Sequence, residues 1–199
     1  MTKKSIFCTM LFGLMLLWVA GFAAAATDEL PHNSVYKLDV SVTDQEGQTT
    51  QWRDAANASS GPRIVSMFYT RCDYVCPMLF EVIRNIELQL PPVQRQRLQV
   101  GLITLDPARD DVAALKKTAS QRGGDTARWR LYRTQAKDVR KLAGVLGVQF
   151  RQLKNGEFNH STLIILLDPQ GIELARTDNI TKPDANFIKA VLKATEAPK

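Results

Sequence analysis

Beyond its first 26 residues the sequence holds only two cysteines, Cys72 and Cys76, and two histidines, His32 and His160. So few thiols exclude a small scaffold stapled by several disulfides. No segment repeats and no tract is of low complexity, which excludes solenoids and tandem arrays. Charge of one sign is never gathered into a run. The 26 Lys and Arg and 20 Asp and Glu are interspersed, a pattern of solvated surface that argues against a nucleic-acid groove.

Long apolar stretches are equally scarce, with one exception. Lys3 and Lys4 precede an uncharged run from Ile6 to Ala26, which ends in Ala23 to Ala26 before the polar Thr27-Asp28-Glu29. A basic start, an apolar middle and an A-x-A end make an export signal, with cleavage expected after Ala26. The alternative is an uncleaved membrane tether through residues 5–26, because roughly 20 apolar residues span a bilayer. Either way the positive end stays inside and the remainder is carried out. The domain expected to fold is 27–199, long enough for one well-buried core but not comfortably for two. Lys3 and Lys4 leave with the signal, so 24 basic and 20 acidic residues remain, a charge of +4.

Val35 to Thr43 alternates apolar and polar residues, and Asp44-Gln45-Glu46-Gly47 turns it toward Thr49 to Arg53, which predicts a hairpin. Ala55 to Pro62 reads as loop. Ile64 to Tyr69 and Leu98 to Leu105 are short apolar runs suited to central strands. Leu79, Val82, Ile83, Ile86 and Leu90 recur at helical spacing until Pro91-Pro92. Asp110 is placed to cap a helix that ends near Gly123-Gly124. Trp129 to Tyr132 predicts a strand, and Val139 to Leu146 a helix. Phe158 to Leu167 reads as one strand, turned by Asp168-Pro169-Gln170-Gly171 into Ile172 to Arg176, with a closing helix around Phe187 to Leu192. The fold class is therefore α/β: a thioredoxin-like mixed sheet flanked by helices, with an extra N-terminal β-hairpin and an inserted β-hairpin.

Cys72-Asp73-Tyr74-Val75-Cys76-Pro77 falls where a central strand ends and a helix begins, the edge at which α/β sheets usually carry their sites. Helix amides and the helix dipole stabilise a thiolate there, and Pro77 loses nothing by lacking an amide hydrogen in the first turn. A disulfide between these two cysteines would close almost no loop, so structural stapling is a poor reason for the pair. Three residues separate them, one more than in a thioredoxin-type redox site. The longer loop lets both sulfurs face a shared third body, and soft thiolates favour Cu(I), zinc or an iron–sulfur cluster. A Cys72–Cys76 disulfide stays feasible, so a redox-active pair is the alternative. His160, at the start of an apolar run, is the natural third ligand. His32 lies in the polar lead-in, and a Cys/Cys/His set suits a trigonal copper site better than zinc, which normally takes a fourth protein ligand.

Three blocks of this sequence resemble the Sco/SenC copper proteins. Phe68 to Pro77 looks like their Cys-x-x-x-Cys-Pro signature. Thr104-Leu105-Asp106-Pro107-Ala108-Arg109-Asp110 is similar to their Asp-Pro-x-Arg-Asp block, and Asn159-His160-Ser161-Thr162 followed by Leu167 to Gly171 resembles their His-Ser block. The likeness covers roughly residues 35–195. It implies a thioredoxin-like fold, and copper, as Cu(I) or Cu(II), on Cys72, Cys76 and His160, with Asp106 as an auxiliary residue. It further implies a part in assembling the copper centre of a cytochrome c oxidase subunit, by delivering copper or by keeping that client's cysteines reduced. A bacterial periplasm or the outer face of the inner membrane is the matching location, and a monomer the expected state. The commonest family loop has Pro-Asp after the first cysteine, where Asp73-Tyr74 stand here.

Overall fold

The structure, a computed structural model, describes residues 29–57, 61–122 and 127–196. The expected export segment and the helix end at Gly123-Gly124 lie outside these. Among the described residues the strands are β1 (Ser41–Asp44), β2 (Thr49–Gln51), β3 (Arg63–Phe68), β4 (Gln99–Thr104), β5 (Trp129–Thr134), β6 (Phe150–Gln152), β7 (Phe158–His160), β8 (Ile164–Leu167) and β9 (Glu173–Thr177). The helices are α1 (Trp52–Asn57), α2 (Val75–Leu88), α3 (Pro92–Arg97), α4 (Val112–Arg122), α5 (Ala136–Leu146) and α6 (Ala185–Ala194).

Seven strands form one mixed sheet in the order β2-β1-β5-β4-β3-β8-β9. β3, β4 and β5 run parallel, joined by crossover helices, while β1 and β8 close the two sides antiparallel. β3 and β4 read as near-continuous apolar runs because both their faces are covered. Ile64, Phe68, Val100 and Leu102 meet Leu79, Ile83, Leu115 and Phe187 from α2, α4 and α6 on one face. Val65, Met67, Ile103 and Leu105 meet Trp52, Val139, Leu142 and Leu146 from α1 and α5 on the other. The period-two alternation of side chains thus serves two cores at once. Gly147, at φ +71°, ends α5 in the left-handed conformation that glycine adopts without strain.

The thioredoxin-like mixed sheet is as expected, and several local expectations are corrected. Val35–Lys37 is a 3₁₀ turn rather than strand, because the Ser34 hydroxyl accepts the Tyr36 amide and the Trp52 indole N–H donates to the Val35 carbonyl. The hairpin is accordingly shorter, and Trp52 opens a helix instead of extending β2. Pro91-Pro92 does not merely stop α2. Pro92 occupies the first turn of α3, where its missing N–H is no loss.

Asp110 does not cap α4. The Ala114 amide donates to Asp111 Oδ1 (2.8 Å), which makes Asp111 the cap, and Asp110 turns inward. Most consequentially, Phe158 to Leu167 is not one strand. β7 leaves the main sheet to pair with β6 as a separate two-stranded hairpin, and only β8 joins β3. Among the described residues no helix is long and apolar enough to cross a membrane.

Candidate metal centre

β3 delivers the chain to the carboxyl edge of the sheet at Phe68, and a loop from Tyr69 to Tyr74 leads into α2. The helix begins without a side-chain cap from Tyr74. Cys72 supplies the missing acceptor: the Cys76 amide, in the first turn of α2, donates to Cys72 Sγ at 3.2 Å. Pro77 follows with no amide to satisfy, so the sulfur meets a helix end whose free donors converge on it. Neither cysteine is in a disulfide, and both are buried against the core formed with α2.

The thiols differ in acidity for reasons the geometry supplies. A hydrogen bond from the Cys76 thiol, then His160 and the Cys76 and Val75 amides, outweigh burial and lower Cys72 to about 4. The same thiol–thiolate bond, with burial, pushes Cys76 well above the ordinary thiol range. The pair titrates as a unit.

His160 reaches this place from the opposite direction. It is the last residue of β7, partly buried, and its ring lies edge-on to Tyr69 with centroids 6.0 Å apart. Its Nδ1 is 3.1 Å from the Ser161 carbonyl oxygen, which can only accept, so the tautomer protonated at Nδ1 is the one that donates there. Ligand atoms of Cys72, Cys76 and His160 all lie within 4.8 Å of one another. Among the described residues this is the cluster of His, Cys, Asp and Glu side chains able to share an ion. Two soft sulfurs and one imidazole suit a soft or borderline cation, Cu(I) above all.

A cleft of about 410 Å³ opens onto the cluster, bordered by Arg71, Asp73, Tyr74, Glu157 and Asn159 among others. Tyr74 is 85% exposed at its rim, which puts the residues that depart from the commonest family loop on the surface rather than in the donor set. The Tyr69 hydroxyl donates to Glu157 Oε2 (2.7 Å). Burial first, and this bond second, raise its pKa above the ordinary phenol range.

Asp106 is not in the cluster. Its buried carboxylate accepts from Arg109 Nε, and Arg109 in turn donates from Nη2 to the Gly156 carbonyl in the turn of the β6–β7 hairpin. Asp110, fully buried, accepts from the Thr70 amide (3.0 Å), the Thr70 hydroxyl (2.5 Å) and the Thr104 hydroxyl. Sequence reasoning missed Thr70 and Gly156. Gly156 could have been noticed as a turn glycine, whereas nothing in the sequence couples Thr70 to Asp110. His32 is exposed, inside the turn that the Ser34 amide closes on the Pro31 carbonyl, and is not in the cluster.

The parallel centre of the sheet, the cysteine pair at a strand-to-helix junction and a histidine brought in on a separate hairpin define a thioredoxin-like domain adapted to hold three donor atoms together. The sequence matches the SCO1/SenC family over residues 29–196. This chain belongs to that family. A Stutzerimonas stutzeri protein whose name assigns it copper binding is 32% identical over 108 residues, 52% of this chain and 51% of that one. The chain thus spans about half the length of that curated relative. Among solved structures, a SCO1/SenC family lipoprotein from Bacillus anthracis aligns with TM-score 0.67 at 19% identity, over 79% of this chain and 95% of the other. Bradyrhizobium japonicum ScoI, solved with copper bound, aligns with TM-score 0.61 at 21% identity, over 78% and 96%. At these identities the two likenesses are of fold.

Proposed function

We propose that this chain is an exported copper-binding protein that carries one copper on Cys72, Cys76 and His160 and hands it to a copper-site client, such as a cytochrome c oxidase subunit. The observation that carries the reading is the convergence of two thiol sulfurs and one imidazole nitrogen within 4.8 Å at the mouth of an open cleft. Copper here is cargo rather than a resident cofactor. The sulfurs sit in the core while His160 stands on a small outlying hairpin, so the imidazole is the donor that can let go first. An incoming thiolate of the client would take its place, and copper would pass by ligand exchange. Residues 1–26 act as the export signal and 27–199 as the working domain, placed in a bacterial periplasm or on the outer face of the inner membrane, as a monomer.

A second reading is favoured by the uneven acidity of the pair. Cys72 as thiolate could attack a client disulfide, and Cys76 could then resolve the mixed disulfide. The client disulfide gains two electrons and leaves as two thiols, taking one proton from Cys76 and one from solvent, and Cys72 and Cys76 become the disulfide. His160 separates the two readings, since exchange chemistry needs only the cysteines. The deciding experiment is the copper stoichiometry and affinity of the reduced chain lacking residues 1–26, beside His160→Ala and Cys72→Ser. One tightly held copper per chain, weakened by either substitution, supports delivery. No stable copper, with a readily cycled Cys72–Cys76 disulfide, supports the reductase instead.

A further inference from the structure

The β6–β7 hairpin that carries His160 stands outside the main sheet and pairs over only three registers, Phe150 with His160, Arg151 with Asn159 and Gln152 with Phe158. A lone two-stranded hairpin is marginal in water, so its place over the cysteines must come from contacts elsewhere. Phe150 and Phe158 pack it against the domain, with Arg140 over the Phe150 ring, and two polar side chains tie it by hydrogen bonds near the site. Tyr69 holds Glu157 at the start of the second strand. Arg109 holds the turn itself, through the Gly156 carbonyl.

Arg109 is itself firmly placed. Its Nε donates to the buried Asp106 carboxylate. The Arg109 and Asp110 amides donate to the Asp106 carbonyl (3.1 and 2.9 Å), and the Asp106 amide to the Thr104 hydroxyl (2.9 Å). The guanidinium therefore projects from a closed turn fixed to the end of β4, one of the most buried strands. Its approach to the hairpin is so close that a Cβ on Gly156 would stand 2.9 Å from Arg109 Nη1, and Gly156 has φ +85° besides. Only glycine meets both conditions without strain. The same turn also carries Asp110, which pins Thr70 two residues before Cys72. One short loop thus touches both arms of the site.

We propose that Arg109 is the positioning residue for His160: by bridging the Asp106 carboxylate and the Gly156 carbonyl it fixes the hairpin turn, and with it the imidazole, relative to Cys72 and Cys76. The inference rests on the reading of those three residues as the copper site. The task calls for a guanidinium, because its fork donates to two acceptors in a set geometry, while a lysine offers a single flexible ammonium.

The test uses the full chain, reduced, with Arg109→Gln and Arg109→Lys. In the metal-free protein, Arg109→Gln should speed hydrogen exchange of the β6–β7 amides while β3 and β4 keep their protection. Arg109→Lys should give the same pattern at smaller amplitude, and it serves if the glutamine variant does not fold. With Cu(I) as the probe, Arg109→Gln should weaken binding about tenfold, as partners that orient a ligand commonly do. In a His160→Ala background the same substitution should cost nothing further. Unchanged hairpin exchange overturns the proposal. So does an equal loss of Cu(I) affinity with and without His160, which would mark a general structural role. Should the unsubstituted chain take up no copper, the copper reading fails, and the exchange pattern alone decides whether Arg109 holds the arm.

Discussion

The amide of Cys76 donates to the sulfur of Cys72 across 3.2 Å, so the first cysteine caps the helix whose first turn holds the second. A thiolate takes the place that serine or aspartate usually fills at a helix start, and the positive end of the helix holds its charge.

Selective alkylation should follow. In the reduced, metal-free protein at mildly acidic pH, iodoacetamide should label Cys72, which lines the open cleft, well before Cys76. Peptide mapping by mass spectrometry reads the result. Equal labelling of both thiols would contradict the capping arrangement.

Stability of the reduced, metal-free protein should depend on pH through this pair. Cys72 has a folded value of about 4 against an ordinary 9.0. The unfolded chain therefore binds the extra proton between those limits, and stability rises with pH across the window and is lost as pH falls toward 4. Cys76 is shifted the other way, so its contribution is full below 9.0 and is lost as pH climbs above it. Urea midpoints should carry a component that rises with pH below the ordinary thiol value and falls above it. Cys72→Ser should remove that part of the slope; an identical profile in the variant would assign it to other groups.

Asp110 is a buried carboxylate with three donors on it. Asp110→Ala should cost about 3 kcal/mol, because Thr70 and Thr104 are left with donors turned inward and unmet. Asp110→Asn, which keeps one acceptor oxygen, should cost less. Denaturant unfolding checks the order. The loss of the Thr70 tether should also raise the alkylation rate at Cys72.

Glu87 supplies the contrasting case. Its buried carboxylate accepts from the Trp129 indole N–H (2.9 Å) and from Arg128, near the far end of α2 from the cysteines. Glu87→Ala should destabilise the fold by about 3 kcal/mol, the cost of breaking a buried pair from one side, while Cu(I) affinity of the folded protein stays unchanged. A matching loss of affinity would show that copper binding merely follows global stability.

Much of this architecture was readable along the chain because it follows from local pattern. β3 and β4 are strands buried on both faces, and the apolar runs Ile64 to Phe68 and Leu98 to Leu105 say so. The spacing of Leu79, Val82, Ile83 and Ile86 marks α2, and Val139, Leu142, Ala143 and Leu146 mark α5. Cys72 and Cys76 could be placed at the strand-to-helix junction for the same reason. Where the reading went wrong, distant contacts had overruled local preference. Val35 to Lys37 has strand-like alternation, yet the Ser34 hydroxyl and the Trp52 indole draw it into a turn.

His160 shows where local pattern stops. Its residue type suggested a ligand, but the sequence around it looked like the start of one long strand. The break at Ser161 to Leu163 arises because β8 must pair with β3 while β7 pairs with β6, a choice made by registers between segments far apart in the chain. The approach of His160 to the sulfurs, the span from Asp106 through Arg109 to Gly156, and the grip of Asp110 on Thr70 have the same origin. Residue types and their spacing set which donors were available and which elements would carry them. Only the folded chain brought those donors within 4.8 Å, since that distance depends on how two independent arms are tied to one loop at the end of β4.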